Sequence, residues 1–399
     1  MRVVDAGFPL NIRPGRSVSA RGVIVVHIPQ STSVPVSAGH PWVYREQGVS
    51  PPLGELVRLV DPRGRDVGWG IGDAGPIAVR VLGAGATVPL PAFLKARIAG
   101  ADRVRASMLG DVTNAYRVVN GEGDGLGGLV VDRYDDVAVL RLYAKAWEVH
   151  LDLVIDAVRA LPWAKHGLRR LGVGTVDGKE GSVDLWGSPS HDIVVVEYGL
   201  KFRVRPQVGQ KTGMFLDLRE QRVRARRAGA GAVVTNLFAY AGALSVAAVA
   251  GGAKRVVSVD IAPAALEDAR ETFRLNDLST DGHGFEVADA FQWDSRSPLD
   301  LLIVDPPSLA RKSASMGAAV SAYRKLHARN RESVRPGGWL LASSCTSRVS
   351  TEAWRGALRD ALGRDWTWSE TGAEPVDHPV LVGHPEGRYL KTALLRRLA

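Results

Sequence analysis

In the C-terminal half of the chain, short apolar runs recur, and each ends on a polar side chain. Residues 232–237, 255–260, 284–289, 300–305 and 339–345 have the length and content of buried strands. Between them, residues 243–250, 264–276 and 318–334 carry longer, helical patterns. Strands alternating with helices predict an α/β domain built on a doubly wound, mostly parallel sheet. A strand pair at 193–197 and 201–205 leads into it, so this domain is taken as 191–399.

The N-terminal pattern is different. Residues 23–26, 56–60, 67–71 and 77–81 are short strands, and Asp61-Pro62-Arg63-Gly64 marks a turn between two of them. A small β-rich domain is expected over 22–88, after an irregular leader at 1–21. Residues 89–190 form a central α+β unit. It holds a helix at 92–109, a loop at Asn120-Gly121-Glu122-Gly123-Asp124-Gly125, strands at 129–132 and 137–143, and a helix at 148–161.

Bulk composition narrows the partners. The chain has 399 residues, 45% hydrophobic and 23% charged, which permits cores of normal size. Net charge is +9, carried by 41 Arg and 10 Lys, and suits a polyanion such as RNA. The densest concentration is Arg219, Arg222, Arg224, Arg226 and Arg227, read as a source of phosphate contacts or as a solvated helix face. No apolar stretch reaches the ~18 residues of a membrane span. The single cysteine fits a reducing cytoplasm. No metal site is expected, and a homodimer is left open.

Candidate chemistry sits where the five strands end, because strand tips of an open α/β sheet line its ligand crevice. The first tip runs into Asn236-Leu237-Phe238-Ala239-Tyr240-Ala241-Gly242, a loop of small residues whose backbone can approach a ligand. Asp260 ends the second and is placed to take ribose hydroxyls, or to cap the helix after Ala262-Pro263. Asp289, with Ala290 beside it, could meet an adenine. The loop has one glycine and lacks the Gly-x-Gly-x-x-Gly fingerprint that a dinucleotide pyrophosphate wants. That favours S-adenosylmethionine over NAD.

The last two tips carry Asp305-Pro306-Pro307 and Cys345. An amine methyltransferase commonly has an aromatic residue after such a Pro pair, and here Ser308 stands there. A thiolate points instead to carbon-5 of a pyrimidine, which becomes nucleophilic once sulfur adds to carbon-6. Cys345 is then the nucleophile and Asp305 the carboxylate that orients the base.

A longer motif joins these pieces. Gln207-Val208-Gly209-Gln210-Lys211-Thr212-Gly213-Met214-Phe215-Leu216-Asp217-Leu218-Arg219 resembles the Gln-Lys-Thr-Gly-Phe-Phe-Leu-Asp-Gln-Arg signature of bacterial 23S ribosomal RNA cytosine-5 methyltransferases of the large-subunit methyltransferase I type. The loop at 236–242, Asp305-Pro306-Pro307, Ser344-Cys345-Thr346 and His384-Pro385-Glu386-Gly387-Arg388-Tyr389-Leu390-Lys391 are similar to its other motifs. Asn120-Gly121-Glu122 resembles its central domain, and Gly39-His40-Pro41-Trp42-Val43-Tyr44 its PUA domain. Two departures are Asn236 for Asp and Gly127 for Pro.

The resemblance implies a class I, Rossmann-like methyltransferase with a PUA-like RNA-binding β-barrel. It implies S-adenosylmethionine held by Asn236, Phe238, Ala239, Tyr240, Gly242, Asp260, Asp289 and Ala290. Lys211, Thr212, Arg219, Pro306 and Pro307 are expected to contact 23S rRNA as substrate. Rival readings are a guanine-N2 methyltransferase on the same fold, a non-catalytic RNA-binding assembly factor and an NAD-dependent oxidoreductase.

Overall fold

The computed structural model describes residues 23–171, 181–207, 211–309 and 316–399. The expected leader at 1–21 lies outside the described residues, as do Val208, Gly209 and Gln210 of the long motif.

The C-terminal domain forms a seven-stranded sheet. Its strands are β1 (Val233–Leu237), β2 (Arg255–Asp260), β3 (Gly284–Val287), β4 (Leu299–Val304), β5 (Val334–Ser344), β6 (Trp366–Gly372) and β7 (Lys391–Arg397). Their order is β3-β2-β1-β4-β5-β7-β6. The first five pair in parallel, and β7 is antiparallel to both β5 and β6. Helices cover both faces: α1 (Arg219–Ala228), α2 (Ala243–Ala250), α3 (Pro263–Leu275), α4 (Met316–Asn330) and α5 (Thr351–Leu362). Double coverage explains the unbroken apolar run in β4. Leu301 and Ile303 pack into one core with Val246 of α2 and Phe273 of α3. Leu302 and Val304 pack into the other with Tyr323 of α4 and Trp354 of α5.

Sequence periodicity missed α5, β6 and β7. The polar or charged ends of β7, Lys391-Thr392 and Arg396-Arg397, shorten its apolar signal, and pairing with β5 supplies what the pattern lacks. The expected third strand stops at Val287, so Asp289 stands in the loop beyond it.

A five-stranded central sheet, in the order Gly181–Trp186, His166–Leu171, Val137–Leu142, Leu129–Tyr134 and Ala115–Asn120, stands before this domain. The helix expected at 148–161 is two helices, Ala146–Val149 and Leu151–Arg159. They break at His150, whose Nε2 lies 2.6 Å from the Gly54 carbonyl of the N-terminal domain. One face of the central sheet packs on its own helices, with Val131 and Leu140 against Leu94 and Val154, and the other packs on the C-terminal domain. Ala115, Tyr134, Val139 and Leu168 share a core with Val234, Leu301 and Leu394 of the C-terminal sheet.

The N-terminal sheet runs Ile24–His27, Leu56–Val60, Asp66–Gly72, Ile77–Gly83, Trp42–Tyr44. Val43, Val57, Leu59 and Val79 fill its own core. Trp69, Ile71 and Leu82 instead point into the central domain, against Leu94, Tyr116 and Leu140. Arg80 ties the two units by donating to Asp73 at 2.7 Å and Glu122 at 2.9 Å.

Candidate active site

A cavity of about 510 Å³ opens at the C-terminal ends of β1, β2, β4 and β5. Its wall holds Phe238, Ala239, Tyr240, Asp260, Asp289 and Ala290 on one side, and Lys211, Asp217, Asp305, Pro306, Pro307 and Cys345 on the other. A cavity of about 1180 Å³ lies elsewhere, between the N-terminal and central domains, and contains none of these residues.

After β1 the backbone turns sharply. Phe238 (φ 60°), Tyr240 (φ 48°) and Gly242 (φ 73°) occupy the left-handed region. Two non-glycine residues there store strain, and nearby hydrogen bonds hold them. Ala239 N donates to Val259 O at 2.9 Å, and Tyr240 N donates to Asp260 Oδ2 at 2.8 Å. The result is a loop that presents Phe238, Ala239 and Tyr240 to the cavity. Phe238 meets Phe291 edge-on at 5.3 Å, and Tyr240 meets Phe215 at 5.5 Å, which gives the cavity aromatic walls.

Asp260 stands at the tip of β2 and faces the cavity. Its Oδ1 accepts from Ala262 N at 2.9 Å, at the entry to α3, while the residue lines the cavity. Each carboxylate oxygen accepts one backbone N–H and retains a lone pair for a ribose hydroxyl. Asp289 Oδ1 accepts from Phe291 N at 2.9 Å and fixes the opposite rim.

Two expected cofactor contacts act from behind this loop instead. Asn236 is buried below it, and its Nδ2 donates to Ser245 Oγ at 2.9 Å. Gly242 is where α2 crosses α3: a Cβ there would stand 2.7 Å from Ala269 Cβ. Neither residue lines the cavity.

The reactive end follows from sheet register. β4 and β5 are parallel neighbours with Val304 opposite Ala342, so Asp305 and Cys345 leave adjacent strand tips. The residues flanking Cys345 are tied down. Ser344 Oγ donates to Tyr323 OH at 2.8 Å, and Tyr323 OH is 2.8 Å from Thr346 Oγ1. Lys391 Nζ donates to Thr346 O at 2.7 Å and Val349 O at 2.9 Å. Burial, and then the negative charge of Asp217, push the Asp305 carboxyl up to about 7. Burial, and then Asp305, push the Cys345 thiol up; Lys211 opposes this. Among the described residues, Lys211 is a cation that shares the cavity with the thiol.

Two expected substrate contacts are corrected. Arg219 is fully buried in α1, where it pairs with Glu197 at 3.1 Å and Asp377 at 2.8 Å and donates to Ala115 O. Arg222 pairs with Glu197 as well, and Arg224 and Arg227 pair with Glu370. The arginine cluster is thus largely an internal ion-pair network, because α1 is wedged between the central and C-terminal sheets. Thr212 is also buried and donates to Asp132 Oδ2 at 2.5 Å. Sequence reasoning assigned no role to Asp217, Tyr389 or Lys391, although all three stood inside quoted motifs. Tyr323 gave no signal.

A doubly wound sheet with β7 antiparallel and a cavity at its strand tips is the architecture of a class I methyltransferase dependent on S-adenosylmethionine. A family model for S-adenosylmethionine-dependent methyltransferases matches residues 155–354, and one for PUA-like domains matches residues 26–83. The ribosomal RNA large subunit methyltransferase of Deinococcus radiodurans is 36% identical, over 93% of this chain and 97% of its own. Ribosomal RNA large subunit methyltransferase I of Erwinia tasmaniensis is 31% identical, over 88% of this chain and 94% of its own. In fold, the chain is similar to a methyltransferase solved in complex with SAH, at a TM-score of 0.84 and 23% identity over 94% of this chain and 100% of that one. The chain belongs to the ribosomal RNA large subunit methyltransferase I family. Among the described residues, no helix is long and apolar enough to cross a membrane.

Proposed function

We propose that this protein methylates carbon-5 of a cytosine in 23S ribosomal RNA, in the cytoplasm, with Cys345 as nucleophile. The observation that carries the proposal is the meeting of Asp305 and Cys345 in one cavity with the Phe238–Asp260–Asp289 wall. Asp260 and Asp289 are assigned to the ribose and adenine, and Phe238, Ala239, Tyr240 and Ala290 to the flanking contacts. Asn236 and Gly242 support that loop from below. The bound S-adenosylmethionine supplies an electrophilic methyl group.

The remaining work belongs to the side chains. The target base leaves its stack to enter the cavity. The Cys345 thiolate adds to carbon-6, which makes carbon-5 nucleophilic. After methyl transfer a base takes the carbon-5 proton, and the carbon–sulfur bond breaks to release the thiolate. With its carboxyl near 7, Asp305 is substantially protonated at neutral pH. Its O–H donates to N3 and disperses the charge that sulfur addition puts on the ring. The relatives' names and the PUA-like domain support RNA as the substrate.

The test is Cys345→Ala. No other thiol exists in the chain, so methyl transfer falls to background while cofactor affinity persists. RNA carrying 5-fluorocytosine traps the wild-type adduct as a slow band on a denaturing gel, because fluorine cannot leave as a cation. An active Ala variant, or a band persisting in it, rejects the carbon-5 assignment.

A further inference from the structure

We infer that Lys211 is the counter-ion of the Cys345 thiolate, and that Asp217 and Tyr389 set how much of its charge reaches the sulfur; this rests on the nucleophile reading above. A thiolate at this strand tip is opposed above all by burial, and a cation in the same cavity offsets that cost.

Among the described residues, the groups around the sulfur come from several neighbouring elements. Asp305 follows β4, Lys211 and Asp217 precede α1, Arg222 lies in α1, Tyr323 in α4, and Tyr389 and Lys391 in the C-terminal segment. Most are already committed. Lys391 donates to Thr346 O and Val349 O, and Arg222 donates to Glu197 and Phe215 O. Burial raises both tyrosines, which keeps them neutral. Lys211 differs. It lines the same cavity as Cys345 and keeps 35% of its side chain exposed, against 3% for Asp217 behind it. Its Nζ donates to Asp217 Oδ2 at 2.7 Å and sits 4.5 Å over the Phe215 ring. An ammonium has three donors, so this contact leaves capacity toward the cavity.

Asp217 is the restraint. Burial opposes its ionisation, but Lys211 and His378 hold its carboxyl well below the usual range. Tyr389 OH donates to the same Oδ2 at 2.7 Å and so competes with Lys211 for it. The backbone carrying Lys211 is clamped. Lys211 itself has φ 53°. Thr212 bonds Asp132, and Tyr134 OH lies 2.9 Å from Thr212 Oγ1 and accepts from Met214 N at 3.2 Å. Gly213 has φ 134°, and a Cβ there would meet Val204 Cγ1 at 2.4 Å. Lys211 is therefore delivered to the cavity from a fixed base. The thiol proton leaves to water, and no bond to Lys211 forms.

The single cysteine makes the test specific, since iodoacetamide reads this thiol alone. In the full-length protein without RNA, alkylation rate against pH gives the thiol midpoint. Lys211→Met moves that midpoint up and slows alkylation about tenfold near neutral pH. Lys211→Arg restores the wild-type profile, and Asp217→Asn moves the midpoint down. Calorimetric binding of S-adenosylmethionine verifies that each variant is folded. An unmoved midpoint in a cofactor-binding Lys211→Met protein overturns the inference. So does an upward shift in Asp217→Asn, which stands as an independent arm. Methyl transfer by Cys345→Ala is scored separately: its persistence rejects the nucleophile, whereas the alkylation profile alone decides the role of Lys211.

Discussion

The two ends of the cavity are built by different means. At the cofactor end, the hydrogen bonds join neighbouring strand tips or residues within one loop: Asp260 accepts from the amides of Ala262 and Tyr240, and Asp289 from that of Phe291. At the thiol end they reach across the chain. Tyr389 bonds Asp217, Lys391 bonds Thr346 and Val349, and Thr212 bonds Asp132. The cofactor end is a set of loops shaped by their own strand tips. The thiol end exists only after the central sheet, α1 and the C-terminal segment have docked. Damage at the first should stay local, and damage at the second should spread.

The largest expected contrast comes from Asp260→Ala. It removes the carboxylate proposed to accept from the ribose and frees the amides of Tyr240 and Ala262. Charge-assisted hydrogen bonds contribute about 1.5–3 kcal/mol each, so cofactor affinity falls about tenfold or more. RNA affinity stays unchanged. Calorimetric titration and filter binding on one preparation check both halves, and unchanged cofactor affinity removes Asp260 from the site.

Thr212→Val attacks the other end. It deletes a buried donor to Asp132, which leaves a carboxylate oxygen under-satisfied at a cost of about 1–3 kcal/mol. Thermal stability drops and Cys345 alkylation changes through the freed Lys211, while cofactor affinity holds. Equal losses of cofactor affinity in Thr212→Val and Asp260→Ala would erase the distinction between the two ends.

The smallest effect is a pH dependence. The folded carboxyl of Asp305 is raised from 3.8 to about 7, so between those values the folded state binds more protons than the unfolded one. Stability from this group is therefore present at low pH and lost as pH rises through that window. Asp305→Asn cannot ionise, so it gains melting temperature over wild type at about pH 8 and loses that advantage near pH 4. A difference independent of pH contradicts the raised carboxyl.

The domain junctions follow the same lesson. The N-terminal sheet has its own core, but Trp69, Ile71 and Leu82 are lodged in that of the central domain. Removing residues 1–85 would uncover Leu94 and Tyr116, so that deletion does not isolate RNA binding from folding. Point changes on the exposed face of this domain are the cleaner instrument.

The sequence by itself determined the alternation of strands and helices from β1 to β5, because the burial of those strands is written in their own apolar runs, whereas α5, β6 and β7 carry no such signal. It also determined that Asp260, Asp305 and Cys345 stand at or just past strand tips, since an apolar run stopping at a polar residue is a local signal. It showed the lone thiol and the absence of a dinucleotide glycine pattern. Only the tertiary structure decided that Arg219 and Thr212 are buried, because burial of a polar residue depends on partners far along the chain: Glu197, Asp377 and Asp132. It alone put Asn236 behind the loop, and it alone joined Lys211, Asp217 and Tyr389. A charge pattern read along one segment cannot show which of its charges another segment has already neutralised.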